Sequence, residues 1–288
     1  MAFIAFIFGT VVGSFVNVLI YRLPKGISVV APPSHCPACG HRLEPMDLVP
    51  LLSYLWLGRK CRYCRAPVSW RYFGVEALTG AVFALVYYRF GATVDAGLLC
   101  VLFACLIAAF FTDVDQYIIP DSLNAAGLII GFARAVAGPD AFSTRWLSEP
   151  GVQPVTVLGA LAGAAVLPGL LYLMILLGNV MFRRQIAEQE SQWANEGILE
   201  EGERLDAMGM GDVKLAAVMG ANLGIAGGLV ALLTGVFIGA VFGLALKAMK
   251  RLEGHAIPFG PALIIGFSVS VFVGGDVIRW YLNLLAGG

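Results

Sequence analysis

Two carboxylate signatures stand where apolar sequence gives way to polar sequence: Asp113-Val114-Asp115 followed by Ile119-Pro120-Asp121, and Gly209-Met210-Gly211-Asp212-Val213-Lys214. Desolvating an ionisable group at membrane depth is costly, so an acid at such a place marks a functional site by default. Asp113 and Asp115 cannot serve as a pair with each other in a continuing helix, because residues two apart point to different sides. One of them must find its partner elsewhere. Asp212 is the candidate, flanked by Gly209 and Gly211, whose missing side chains admit close approach of backbone or substrate. Two carboxyl groups brought close together share one proton and titrate as a unit. One can then take a proton from water while the other donates to a carbonyl oxygen, which hydrolyses a peptide bond without a metal or a serine nucleophile. The simpler readings are that Asp121, ahead of Ser122, caps a helix and that Asp115 is a solvated helix-end residue.

A second constellation is Cys36-Pro37-Ala38-Cys39 and Cys61-Arg62-Tyr63-Cys64. Two C-x-x-C turns with this kind of spacer can supply four thiolates to a tetrahedral zinc ion. A shell closed by four sulfurs leaves no open coordination position, so the expected role of Zn2+ is structural. His35 and His41 are substitute ligands only if a cysteine is missing from the shell. The competing readings are a thiol-disulfide redox pair, for which a thioredoxin-like βαβ pattern is lacking, and an iron-sulfur cluster. Cys100 and Cys105 fall inside an apolar segment, where packing is the ordinary role of a thiol.

The elements that must position these residues are membrane helices. The chain is 59% hydrophobic and 13% charged, against about 25% charged in soluble domains. Formal net charge is zero, which gives no footprint for nucleic acid. The fold class expected is an all-α polytopic membrane protein of about eight transmembrane helices in the lipid bilayer, with a small cytoplasmic zinc-binding domain between the first and second. Ala2 to Ile20 reads as a retained first span, since its basic residues Arg22 and Lys25 follow it and no cleavage site is evident. Further apolar segments run from Phe73 to Phe90, Ala96 to Thr112, Ser122 to Ala137, Val155 to Phe182, Val213 to Ile225, Ala226 to Leu246 and Pro258 to Leu285. The domain organisation that follows is a first helix over 1–21, a four-cysteine loop over 22–72, and a helix bundle over 73–285 carrying an acidic loop at 183–208.

Orientation follows from the basic residues. Arg22, Lys25, Arg42, Arg59, Lys60, Arg62, Arg65 and Arg71 crowd the first loop, which the positive-inside rule assigns to the cytoplasm, so the N-terminus lies outside. Counting spans then puts the Asp113 loop, the 183–208 loop and the basic residues Lys247, Lys250 and Arg251 on the cytoplasmic side. Asp113 and Asp212 thus come to the same membrane face, as a shared site requires. The acidic 183–208 loop reads as a solvated connector. Two other classes would use these features differently: a proton-coupled transporter would relay protons through the carboxylates, and a membrane assembly protein would dock partners on the zinc loop.

Taken in order, these residues resemble the prepilin peptidases, the type IV leader peptidases that belong with the GxGD aspartic proteases. The resemblance spans nearly the whole chain. It is carried by Gly13-Ser14-Phe15-Val16-Asn17-Val18 with Arg22-Leu23-Pro24, both cysteine turns, and Arg71-Tyr72 before Val75-Glu76. Asp113 to Asp121, Gly209 to Leu215 and Ile257-Pro258-Phe259-Gly260-Pro261 complete it. The resemblance implies that Asp113 and Asp212 are the catalytic pair, cutting the basic leader from type IV prepilins or pseudopilins at the cytoplasmic edge of the bacterial inner membrane. It also implies methylation of the new amino terminus with S-adenosylmethionine, an activity associated with the zinc-bearing loop. No glycine-rich strand-to-helix turn marks a methyl-donor pocket. Glu76 is a candidate for contact with the amine or the donor, against the plainer reading of a helix-start acid.

Overall fold

The computed structural model describes residues 1–137, 155–195, 208–248 and 258–286. Glu196, Glu200, Glu201, Glu203, Arg204 and Asp206 of the acidic loop, with Lys250, Arg251 and Ile257, lie outside the described residues. The chain forms two compact units, Met1–Pro154 and Val155–Gly288.

The first unit contains α1 (Ala2–Arg22), the short α2 (Leu52–Trp56), α3 (Trp70–Phe90), α4 (Val94–Gln116) and α5 (Asp121–Ala137). Helices α1, α3 and α4 pack on one another around fully buried Val16, Ile20, Val75, Val86, Leu99 and Leu102. Side-chain oxygens accept from the backbone at two starts: Ser69 from the Arg71 N–H and Thr93 from the Ala96 N–H. Each thereby satisfies one of the amide donors that a helix N-terminus leaves open. The opposite faces carry Phe3, Phe8, Leu85 and Val101 outward, an apolar exterior suited to lipid rather than water.

The second unit contains α6 (Val157–Met181), α7 (Arg183–Asn195), α8 (Met210–Ala248) and α9 (Gly260–Ala286). Its core is built by Leu167, Leu171, Leu215, Met219, Leu263 and Phe267, contributed by α6, α8 and α9. The 39 residues of α8 are too many for one straight span, since a helix rises about 1.5 Å per residue and the hydrocarbon core is about 30 Å thick. The chain resolves this at Gly224, whose φ of 65° and ψ of −169° interrupt the helix. That conformation is essentially restricted to glycine. The division expected after Ile225 therefore falls one residue earlier, and the segments 210–223 and 225–248 are separate helices.

Among the described residues six helices are long and apolar enough to cross a membrane. Adding α5, at 17 residues, and counting the two parts of α8 separately gives the eight apolar helices that the sequence predicts. Among the described residues no strand forms; two isolated antiparallel bridges occur, both in the segment between α1 and α3. The protein is thus an all-α, multi-pass membrane protein with a small cysteine-bearing insertion. Of the acidic loop, residues Arg183–Asn195 form α7, and its described side chains are mostly exposed.

Candidate functional site

Helix α4 continues past the expected Thr112 end to Gln116, and this continuation separates the two acids of its last turn. Asp113 is 6% exposed. Asp115 turns outward and pairs with Arg71 at the start of α3, with both side chains about 30% exposed (30% and 31%). Helical geometry therefore gives the two aspartates different environments, as their spacing demands. The helix stops at Tyr117, which adopts the left-handed conformation at φ 56° and whose N–H donates to the Asp113 carbonyl at 2.9 Å. Asp121 opens α5 as its first helical residue.

In the second unit Asp212 sits in the first turn of α8, its N–H donating to the Gly209 carbonyl at 3.1 Å. It is 7% exposed, while neighbouring Met210 is 48% exposed. Each unit thus offers a buried aspartate at a terminal turn of an apolar helix; in the first unit Asp95, in the first turn of α4, is buried as well but is paired with Arg134. Asp113 and Asp212 are the pair singled out by sequence.

The cysteines are brought together. Their four sulfurs all lie within 4.8 Å of one another, and the Cys36 and Cys64 sulfurs are 3.9 Å apart. Sulfurs on a tetrahedral zinc at about 2.3 Å would stand about 3.8 Å from each other, so the cluster has the size of such a shell. The two halves are built alike. The Cys36 and Cys61 N–H groups donate to the His41 and Ala66 carbonyls, five residues ahead, at 2.9 and 2.8 Å. The Gly40 and Arg65 N–H groups return to the Cys36 and Cys61 carbonyls at 2.8 and 3.1 Å, with φ of 69° and 61°. Leu43 and Val68 then donate to Ser34 and Arg59, again at matching offsets. In each half the first cysteine is buried and the second exposed.

The same turns tune the thiols. Backbone N–H groups of Cys64 and Tyr63 pull the Cys61 thiol down to about 7. For Cys64 the Ala66 amide acts in the lowering direction, but desolvation and the neighbouring Cys39, Cys61 and Cys36 thiols carry it up to about 11. Thiols must lose their protons to ligate a divalent ion, so metal binding at this cluster releases protons. Neither histidine belongs to the cluster. The His41 ring lies on Tyr63, with centroids 3.6 Å apart, and His35 contacts the Pro33 carbonyl. Cys100 and Cys105 are half-buried free thiols in α4.

Between the cysteine turns and the adjoining ends of α1 and α3, side chains fasten loop to helices. Arg22 is buried and donates to the Ser28 and Pro32 carbonyls at 2.9 and 2.7 Å. Asn17 Nδ2 donates to the Tyr72 carbonyl at 3.1 Å. Glu76, a turn and a half into α3, accepts the Leu51 N–H at 2.8 Å and interacts with Ser14. Leu51 holds φ 59° just before α2. Gly13 makes the α1–α3 contact possible here, because a Cβ on it would stand 2.8 Å from the Glu76 Cα.

Some of these roles escape sequence reasoning. Arg71 with Asp115, and Glu76 with Leu51, are contacts whose spacing follows no local periodicity. A third missed pair had a usable signal: Asp95 and Arg134 lie at or inside apolar segments, where a charge must find a partner. They form a buried ion pair between the first turn of α4 and the last of α5, with Nε to Oδ1 at 2.5 Å and Nη2 to Oδ2 at 3.3 Å.

Comparison with known proteins places the two parts of the chain. The family model described as the bacterial peptidase A24 N-terminal domain matches residues 7–90, and that of the type IV leader peptidase family matches residues 100–244. The prepilin leader peptidase/N-methyltransferase of Bacillus subtilis is 30% identical over all of both chains (100% and 100%). That of Aeromonas salmonicida is 30% identical, covering 98% of this chain and 94% of the relative. The Pseudomonas aeruginosa protein of the same name is 29% identical over 96% and 91%. No solved structure matches the chain.

Proposed function

Because the chain belongs to the type IV leader peptidase family, we propose that it removes the leader of type IV prepilins or pseudopilins and methylates the amino terminus so exposed. Asp113 and Asp212 are the residues proposed for hydrolysis. The observation that supports this most directly is the burial of Asp113 in the last turn of α4 while Asp115, two residues on, faces out to Arg71. Asp212 has the matching environment at the start of α8.

In the proposed reaction one carboxylate accepts a proton from a water whose oxygen attacks the scissile carbonyl. The other, protonated, donates to the carbonyl oxygen, giving a gem-diol. Collapse of that intermediate breaks the C–N bond as the amine takes a proton, and the dyad returns to sharing one proton. A prepilin fits this arrangement because its basic leader stays in the cytoplasm while its apolar helix lies in the bilayer, so scission occurs at the membrane edge. The orientation with the N-terminus outside the bacterial inner membrane and the first loop in the cytoplasm is part of the proposal, supported by the basic residues of that loop.

The metal proposed for the four cysteines is zinc, in a structural role. The sulfur spacing fits its tetrahedron and four thiolates leave it no open position. S-adenosylmethionine is the proposed methyl donor and supplies an electrophilic methyl group. The test is cleavage of a purified prepilin by wild type and the Asp113→Asn, Asp115→Asn and Asp212→Asn variants, followed by the mass of the mature N-terminus. Release of the leader with an added methyl mass is expected. An intact prepilin would refute the peptidase reading, and a mature chain without the methyl would refute the second activity alone.

A further inference from the structure

The short helix α2 presents to its surroundings the face that a segment in water would bury. Leu52 and Leu55 are each 61% exposed and Trp56 is 77% exposed, while Tyr54 between them is 8% exposed. Positions 52, 55 and 56 stand three and four apart and so share one side of the helix. Single exposed apolar residues are ordinary on a protein surface, but a contiguous apolar face rimmed by polar residues marks a protein or membrane interaction site.

Contacts with α3 set the height of this face. The Tyr54 ring centroid lies 5.4 Å from that of Phe73 and 6.3 Å, edge-on, from that of Trp70, both in the first turn of α3. Leu51, the residue ahead of α2, donates its N–H to Glu76 Oε2 at 2.8 Å. From Trp70 to Glu76 is about 9 Å of helix rise toward the interior of the span. Helix α2 is therefore held alongside the start of the membrane helix and not above it. The outer stripe of α3 begins at the same level, since Trp70, Leu78, Leu85 and Tyr88 are all exposed and fall within about 80° of one another around the helix axis. Charge borders the apolar face on its other side. Arg59, Lys60 and Arg65 follow α2 and are exposed. Arg62 pairs with Asp47, whereas none of these three is in an ion pair with a described residue.

From this arrangement we infer that α2 is a membrane-surface anchor: it lies in the headgroup region beside α3, with Leu52, Leu55 and Trp56 at the acyl boundary and Arg59, Lys60 and Arg65 against anionic headgroups. The inference needs only that α1 and α3 span the bilayer, and it is independent of both proposed activities. Two observations select lipid as the occupant. The apolar face continues, through Tyr54 and Trp70, into the stripe of α3 that already faces lipid. Leucine and tryptophan on one side with arginine and lysine beside them is the composition by which interfacial helices bind anionic leaflets, and indole rings favour that level of the bilayer. The cysteine turns, which follow and precede α2 in the chain, are then moored to the membrane surface at a third point besides the ends of α1 and α3.

The experiment places the full-length protein in nanodiscs of phosphatidylcholine and phosphatidylglycerol in equal parts and reads Trp56 emission as the difference between wild type and Trp56→Phe. Lipids brominated in the upper acyl chain should quench that difference signal by roughly twofold or more, while acrylamide in the aqueous phase leaves it nearly unchanged. Leu52→Glu/Leu55→Glu should raise acrylamide quenching of Trp56 and speed trypsin cutting after Arg59 and Lys60 by roughly tenfold. Size exclusion and thermal melting report whether this variant is folded. A second variant leaves the apolar face intact: Arg59→Gln/Lys60→Gln/Arg65→Gln should weaken the lipid quenching, as should omission of phosphatidylglycerol from discs holding the wild type. Quenching by acrylamide and not by brominated lipid overturns the inference, and so does lipid quenching that neither headgroup charge nor the basic residues affect. Acrylamide quenching relieved by added prepilin would assign the face to the substrate, and relief on placing two copies in one disc would assign it to a second copy of the chain; either result also overturns it.

Discussion

Replacing the three acids one at a time separates catalysis from ordinary surface electrostatics, and the structure sets the size of each effect. Asp115 and Arg71 form a pair about 30% exposed at each partner (31% and 30%), and exposed pairs contribute about 0.2–1 kcal/mol. Asp115→Asn should therefore lower cleavage by no more than about fivefold, the factor that roughly 1 kcal/mol represents. Asp113 is 6% exposed and Asp212 7%. Asparagine keeps the shape of either side chain but can neither take nor give the proton. Loss of a positioned proton-transfer group costs about 10²–10⁴ in rate, or roughly 3–5 kcal/mol of barrier. Because the proposed pair works as a unit, the Asp113→Asn/Asp212→Asn double variant should be no slower than the worse single variant, rather than showing the product of two losses. Initial rates of leader release from a purified prepilin in proteoliposomes measure all four. Equal losses at positions 113 and 115, or a single Asp113→Asn retaining a tenth or more of wild-type rate, would refute the assignment.

Metal analysis of the purified protein should find one zinc per chain; Cys61→Ser should lose most of it, and protease cutting between residues 26 and 69 should rise as the paired turns come apart. Chelation of the wild type should have the same effect on cutting, and a loop that stays resistant without metal would contradict a structural ion. At the other end of the first unit, Arg134→Met alone strands the buried Asp95 carboxylate and should destabilise the fold by about 3–5 kcal/mol. Combining it with Asp95→Leu should recover most of that loss in thermal melts, and additive losses would mean the pair is not the determinant. Gly224→Ala should cost about 1–3 kcal/mol through backbone strain alone, since a Cβ there meets nothing closer than 3.8 Å. An unchanged melting temperature would show that α8 straightens instead.

The apolar segments were legible because lipid imposes one requirement, about 20 apolar residues per span, that composition satisfies or fails. The break in α8 was visible as a glycine-bearing stretch, and its position was missed by one residue because glycine inside a membrane helix only weakly signals a turn. What decides between Asp113 and Asp115 was only half legible. Parity says that the two acids diverge if the helix continues, but whether it continues depends on the left-handed stop at Tyr117. No composition rule assigns that conformation to a tyrosine. The cysteine turns were legible as ligands through spacing. Their shared hydrogen-bond plan was not, because Gly40 and Arg65 occupy the same left-handed position although only one of them is the residue type expected there.

The unread part of the site consists of polar contacts between residues far apart in sequence: Leu51 with Glu76, Asn17 with Tyr72, Arg71 with Asp115, and Asp95 with Arg134. None produces a periodicity, so a pattern search passes over them. Burial energetics nevertheless sorts them once the fold is known. A buried Asp95 beside Arg134 is satisfied internally and needs no ligand, which marks it as structural. Arg71 and Asp115 pair with each other about 30% exposed (30% and 31%), which makes the pair worth little. Glu76 is buried, and its carboxylate is met by the Leu51 amide and by Ser14. Desolvation is what makes stranding one member of the Asp95–Arg134 pair costly, whereas at Glu76 neutral donors alone offset the same penalty.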